Sequence, residues 1–217
     1  MKSFAFISDF DGTLTQKDFY QMIIDDFLGE MGISLYQAWQ RKEYKDKDFL
    51  NRIYSAVDME EKELIEYILK IEWDSSANKV IKKIKANGGD FIILSAGTSY
   101  YIQHILKKQD LEDVKVYSNP GVYKNRGLYL DIDKEGIYYS EVYGIDKGKV
   151  VQDLSTQYEY IYYVGDSAPD IPACKLADVA FAKGRLQDLL KEQNVSFIPI
   201  TSYKDIEKYL NKEGVIK

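Results

Sequence analysis

One cysteine, one histidine and four prolines are all that 217 residues hold of these types. Cys174, being alone, forms no internal disulfide, which fits a reducing compartment such as the cytoplasm, and it reads as a small buried apolar residue. His104, also alone, excludes a multi-histidine metal centre, so any metal must be held by oxygen ligands. No apolar run approaches the ~18 residues of a membrane span, and the run entered at Met1–Phe4 is too short for a signal peptide. Positive charge is in deficit as well. The chain carries 29 Lys and Arg against 35 Asp and Glu, a formal net charge of −6, which argues against nucleic acid or an anionic membrane as the main partner. What remains, 45% hydrophobic and 29% charged residues, describes a globular core with room for one insertion.

Short apolar runs punctuate the chain. Phe4 to Ser8 is a continuous run ending abruptly in Asp9-Phe10-Asp11-Gly12, the habit of a strand buried on both faces of a parallel sheet. Similar strands are expected at 91–94, 114–117, 160–164 and 179–182, with a last one at 196–200. Between the first two strands lies only helical spacing, over 18–31, 34–55, 59–72 and 78–87. Further helices are expected at 99–108, 147–156, 171–176, 184–193 and 203–212, and 118–145 reads as hairpin or flap strands between turn residues. Strands alternating with helices predict an α/β fold: a doubly wound, Rossmann-like parallel sheet. The helical block is too long for one crossover. The expected division is therefore a core of residues 1–14 and 75–217, interrupted by a helical cap of residues 15–74.

Three of these strands end in polar residues: Asp9 and Asp11, then Ser95, then Asp166. Ligands of open α/β sheets bind just beyond such ends, and Lys147 at a helix start can join them there. One Asp-x-Asp carries little information; the ordered set of four segments carries much.

The set resembles the haloacid dehalogenase-like superfamily over nearly the whole chain. Asp9-Phe10-Asp11-Gly12-Thr13-Leu14-Thr15 fits its first motif, Ser95-Ala96-Gly97 its second, Lys147 its third, and Gly165-Asp166 with Asp170 its acidic fourth. The resemblance implies a phosphatase in which Asp9 attacks phosphorus and becomes an aspartyl-phosphate, while Asp11 serves as general acid and then general base. It also implies Mg²⁺ held by Asp9, the Asp11 main-chain carbonyl and Asp166, with Asp170 orienting waters or completing the shell. Lys147, Ser95, Ala96 and the amides near Gly12 and Gly97 would meet the phosphoryl oxygens.

The helical insert resembles the cap of the phosphoserine-phosphatase-like branch, and such caps imply a small phosphorylated metabolite as substrate. Asp18 stands where phosphoserine phosphatases carry a Glu that meets the substrate amino group. Arg41 and Arg52 are the cap's arginines and the candidates for gripping a substrate carboxylate. A closer likeness, through DFDGTxT and Asp18, is to the methionine-salvage phosphatases of 2-hydroxy-3-keto-5-methylthiopentenyl-1-phosphate. A phosphotransferase would need the same residues, and a phospho-accepting receiver module several of them. Ten of the nineteen tyrosines fall between Tyr117 and Tyr163. They read as packing on half-buried strands, in a monomer or a homodimer.

Overall fold

The computed structural model describes residues 3–217. Met1 and Lys2, where the reading of the N-terminal run begins, lie outside the described residues. Six parallel strands form the central sheet: β1 (Ala5–Ser8), β2 (Asp90–Thr98), β3 (Lys115–Asn119), β8 (Ile161–Gly165), β9 (Val179–Ala182) and β10 (Ile198–Pro199). Their order is β10-β9-β8-β1-β2-β3. The chain runs outward from β1 to β3 and then returns to β8 on the other flank of β1. That reversal makes the carboxyl ends of β1, β2 and β8 a switch point, where an open sheet leaves a crevice.

Both faces of the sheet are buried, as the unbroken apolar runs require. On one face Phe91, Phe6, Tyr162 and Phe181 form a ladder of rings, with successive centroids 5.8, 6.1 and 6.5 Å apart. On the other face Ile7, Ile92, Leu94 and Tyr163 pack against Val150, Val151 and Leu154 of α7 (Lys147–Leu154). The remaining core helices are α5 (Ala77–Ala86), α6 (Ser99–Lys108), α8 (Ile171–Leu176), α9 (Leu186–Glu192) and α10 (Tyr203–Lys212). Burial of such apolar side chains, at about 1.5–3 kcal/mol each, is the main force holding the layers together.

Four helices lie between β1 and α5: α1 (Phe19–Ile23), α2 (Gly29–Gln40), α3 (Asp46–Ser55) and α4 (Glu61–Ile68), with a π-helical turn over Ile24–Leu28. The chain enters and leaves this layer side by side. Thr15 bridges Trp73 in antiparallel fashion, the Gln16 amide donates to the Glu72 carbonyl, and the Asp74 amide donates to the Leu14 carbonyl. The single helix expected over 34–55 is in fact two. It breaks after Gln40, Lys42 adopts φ 62°, and α3 begins at Asp46. The break returns α3 across the crevice, which an unbroken helix would have overshot.

The expected flap is two hairpins, β4 (Gly121–Lys124) with β5 (Gly127–Leu130), and β6 (Tyr139–Ser140) with β7 (Gly144–Ile145). Both are fastened to α3 and the turn after it. The Leu130 amide donates to Asn51 Oδ1 (2.9 Å), the Lys47 amide to the Val142 carbonyl (3.0 Å), and Lys47 Nζ to the Tyr139 hydroxyl (2.6 Å). Among the described residues no helix is long and apolar enough to cross a membrane.

Candidate active site

β1 is paired on both sides, with Ser8 opposite Ile93 and Val164, so Asp9 emerges between the ends of β2 and β8. The Asp9 amide still donates to the Val164 carbonyl (2.9 Å), which holds the first residue of the loop in register with the sheet. Lys147 opens α7 after the Asp146 cap, and its ammonium donates to Asp9 Oδ1 and Asp170 Oδ1, each at 2.6 Å. All three side chains are buried. The loop carrying Lys147 is placed by Asn119, whose amide nitrogen donates to the Ala96 and Tyr143 carbonyls at 2.8 and 2.9 Å. Gly144, at φ 81°, lets that happen, because a Cβ there would come within 2.4 Å of Asn119 Oδ1.

Asp170 is the most committed of the carboxylates. Its Oδ1 accepts from Lys147 and from the Tyr163 hydroxyl (2.6 Å), and its Oδ2 accepts from the amides of Asp166 and Ser167 (3.0 Å each). With four donors on its two oxygens, the side chain fixes Lys147 and the loop that carries Asp166.

Asp166 is half-buried, and Gly12 explains how the first loop approaches it. At φ 70° Gly12 lies so close that a Cβ would meet Asp166 Oδ2 at 2.6 Å. The Gly12 amide donates to Thr15 Oγ1 (3.1 Å) and the Gly97 amide to Ser95 Oγ (3.0 Å). Ser95 itself is buried at the cleft, with Ala96 and Gly97 beside it on the lining. The Ser95 strand is longer than the apolar run foretold. β2 continues to Thr98, with its pairing to β3 slipping between Ser95 and Thr98, and Thr98 then caps α6.

Carboxylate oxygens of Asp9, Asp166 and Asp170 all lie within 4.8 Å of one another. Burial raises the Asp9 carboxyl to about 6, against the pull of Lys147, and Asp170 adds to the rise. Burial, with Asp9 and Asp170 beside it, pushes Asp166 to about 10. Burial and the nearby Asp18 raise Asp11 to about 7. Lys147 is pushed upward: burial alone would lower it, but Asp170 and Asp9 outweigh that cost. The cluster has more negative charge than Lys147 can balance, and its donors are all hard oxygens. The residues therefore fit a divalent cation such as Mg²⁺.

Asp9, Asp11, Ser95 and Lys147 all line one cavity of about 180 Å³ between sheet and helices. Its upper wall is formed by Tyr20, Trp39, Phe49, Leu50 and Tyr54, with Asp18 and Asp46 among them. Asp18 is thus brought to the site. Burial raises its carboxyl, with the Tyr20 hydroxyl beside it opposing the rise. Arg41 and Arg52, the two arginines of the helical layer, are not brought there. Arg41 is exposed and pairs with Glu43 at 2.6 Å, while Arg52 lies over the Tyr44 ring at 4.5 Å on the outer surface. The aromatic wall went unread because Trp39, Phe49 and Tyr54 fall at helical spacing that serves packing equally well. Arg185, exposed on the core side of the lining after Gly184, carries no motif that would have marked it.

The description haloacid dehalogenase-like hydrolase matches residues 6–175, from β1 through the Asp166 loop into α8. The chain belongs to this family. Relatives agree over its length. A Bacillus velezensis 2-hydroxy-3-keto-5-methylthiopentenyl-1-phosphate phosphatase is 24% identical, covering 97% of this chain and 91% of the relative. A Lysinibacillus sphaericus protein of the same description is also 24% identical, over 94% and 92%. Among solved structures, a phosphoserine phosphatase holding a phospho-aspartyl intermediate analogue superimposes with TM-score 0.72 at 21% identity, covering 96% of this chain and 99% of that one. A substrate-bound phosphoserine phosphatase gives 0.71 at 19% identity. The fold is therefore shared with the phosphoserine phosphatases, and family and relatives together support a phosphatase enzyme. A receiver module loses its footing, since the site sits beneath a helical layer in a hydrolase family.

Proposed function

We propose that this haloacid dehalogenase-like hydrolase is a Mg²⁺-dependent phosphatase of a small phosphomonoester, working through an aspartyl-phosphate on Asp9. The convergence of Asp9, Asp11, Ser95, Lys147 and Asp166 in one cleft at the switch point carries the reading. Asp9 attacks phosphorus, and the bond from phosphorus to the leaving oxygen breaks as Asp11 gives that oxygen its proton. Water then attacks the phosphoryl group, Asp11 takes the proton back, and Asp9 and inorganic phosphate are released. Lys147 holds Asp9 and offers positive charge to the phosphoryl oxygens, and the Ser95 hydroxyl donates to one of them. Asp9, Asp166 and the Asp11 carbonyl would hold Mg²⁺, which when bound neutralises charge between carboxylate and phosphate. The helices over 19–68 act as a cap that excludes water and selects the leaving group.

The upper wall supports one substrate over another. A substrate carboxylate would face Asp18 and Asp46, and no cationic side chain of the helical layer lines the cavity. Phosphoserine is therefore the poorer fit. An apolar leaving group bearing hydroxyl or keto oxygens fits the aromatic wall, and 2-hydroxy-3-keto-5-methylthiopentenyl-1-phosphate, named in the relatives, is of that kind.

The test is p-nitrophenyl phosphate hydrolysis with Mg²⁺ and with EDTA, plus acid-quench trapping of the phosphoenzyme. Wild type should turn over and form a phosphoenzyme that Asp9→Asn cannot form. A folded protein inactive on a broad phosphomonoester panel sinks the reading. The substrate choice is tested by kcat/KM, expected to favour the methylthio substrate over phosphoserine by at least about 100-fold; the reverse ranking overturns that choice.

A further inference from the structure

A general acid is only as good as its aim, and Asp11 sits on a turn where its carboxyl could rotate freely. Two donors prevent that. The Phe19 amide holds Asp11 Oδ1 at 3.1 Å, and the Tyr101 hydroxyl holds Oδ2 at 2.5 Å. Both oxygens are thus fixed, and each keeps a second lone pair on which a proton can ride.

Tyr101 belongs to α6, three residues after the Thr98 cap, and is wholly buried. Its ring is packed by Phe10, Phe19 and Tyr54, with centroids 5.8, 4.8 and 6.1 Å away. Packing alone would be served by phenylalanine; only the hydroxyl needs another reason to be there. Tyr54 comes from α3, so the helical layer and the core together fix the ring. Gly97 supplies the remaining space. A Cβ at Gly97 would stand 1.7 Å from the Tyr101 hydroxyl and 2.9 Å from Asp11 Oδ2. The glycine of the second motif therefore leaves room for this phenol, in addition to any service to the phosphate. A phenol also suits both halves of the cycle, because its O–H can donate to the ionised carboxylate or turn to accept from the protonated one.

We propose that Tyr101 is a positioning residue for proton transfer: it holds the Asp11 carboxyl in line with the leaving oxygen, with Gly97 and Tyr54 setting its place. This rests on the reading of Asp11 as acid and base. An activated leaving group such as p-nitrophenolate needs little protonation, whereas an alkoxide cannot leave without it. Misaiming the acid should therefore cost more the poorer the leaving group.

The experiment compares kcat and KM of wild type, Tyr101→Phe, Asp11→Asn and the double variant on phosphates running from p-nitrophenyl through phenyl to a simple alkyl ester. Tyr101→Phe should lose about 10- to 100-fold in kcat on the alkyl ester and under about threefold on p-nitrophenyl phosphate, with KM little changed. The double variant should be no worse than Asp11→Asn, since the phenol acts only through the carboxyl. A uniform loss across the series in Tyr101→Phe, or full additivity, overturns the proposal and leaves the residue a packing element. If Asp11→Asn itself shows no dependence on the leaving group, the acid assignment fails instead. Thr98→Val, which removes the helix cap without touching the phenol, controls for loosening of α6 and should show no such slope.

Discussion

The floor of the cleft and its roof are built on opposite principles. On the floor three charged groups are held by named partners: Lys147 between two carboxylates, Asp170 by four donors, Asp11 by an amide and a phenol. Such a network is costly to disturb, because removing one partner leaves another buried and unpaired. The roof is made of rings. Trp39 and Phe49 stack at 4.7 Å with planes 9° apart, and Tyr20 meets Phe49 edge-on at 5.3 Å. Apolar surfaces tolerate reshaping, and a reshaped roof changes what fits beneath it. On the function proposed above, the chemistry is fixed below and the choice of substrate is adjustable above.

That contrast breaks most sharply at Asp9. Asp9→Asn should lower kcat on every substrate by about 10⁴-fold or more, with the fold intact by circular dichroism. Next is Asp170→Asn, which strips Lys147 of one partner. It should cost about 3–5 kcal/mol in denaturant unfolding, and turnover should fall about 10- to 100-fold, as when a group that orients a catalytic residue is lost. If stability holds while activity falls, Asp170 does more than brace.

A roof substitution should behave otherwise. Phe49→Ala removes a buried ring, at about 3–5 kcal/mol. It should also raise KM for the apolar substrate about tenfold while p-nitrophenyl phosphate turnover changes far less. Equal losses on both substrates would erase the distinction between floor and roof.

Cation binding offers a measure independent of turnover. Asp9, Asp11 and Asp166 have folded pKa values of about 6, 7 and 10, all above their ordinary value. Groups raised in this way stabilise the fold below their unfolded pKa and lose that contribution as pH rises through the folded values. The metal-free protein should therefore lose stability from about pH 4 upward, and the rise in Tm on adding Mg²⁺ should be larger near pH 8 than near pH 5. A Tm gain independent of pH would separate the cation from these carboxylates. The smallest effect belongs to Arg41→Ala and Arg52→Ala, exposed on the outer face, which should leave kcat/KM within about twofold.

The floor was largely legible in the sequence and the roof was not, for a physical reason. Asp9, Ser95 and Asp166 each end an apolar run, and a parallel sheet buried on both faces leaves only one place for such polar residues. Lys147 was marked by its position at a helix start. Tyr101, Tyr163 and Trp39 carry no such mark. They look like any ring on a helix or strand, and only three-dimensional packing shows that the two hydroxyls land on carboxylates of the cleft, Asp11 and Asp170. Arg41 and Arg52 stand on the outer surface, and charge and membership of the helical insert say nothing of which face a side chain takes. The break after Gln40 is silent in the sequence because it lies in charged residues, with neither Gly nor Pro to announce it.

The neck at Thr15 and Trp73 has one more consequence, for exchange between proteins. A narrow two-strand passage ought to make the helical insert an interchangeable cassette, cut at one point and replaced whole. Here it is not self-sufficient. Lys47, Asn51 and Met59 are fastened to the hairpins at 121–145, a hundred residues or so further along the chain in places and folded from the core. A transplant of residues 16–72 alone would arrive with its underside unmatched. If this layer selects the substrate as proposed, the heritable unit of that choice is split in two along the gene, and its halves must change together.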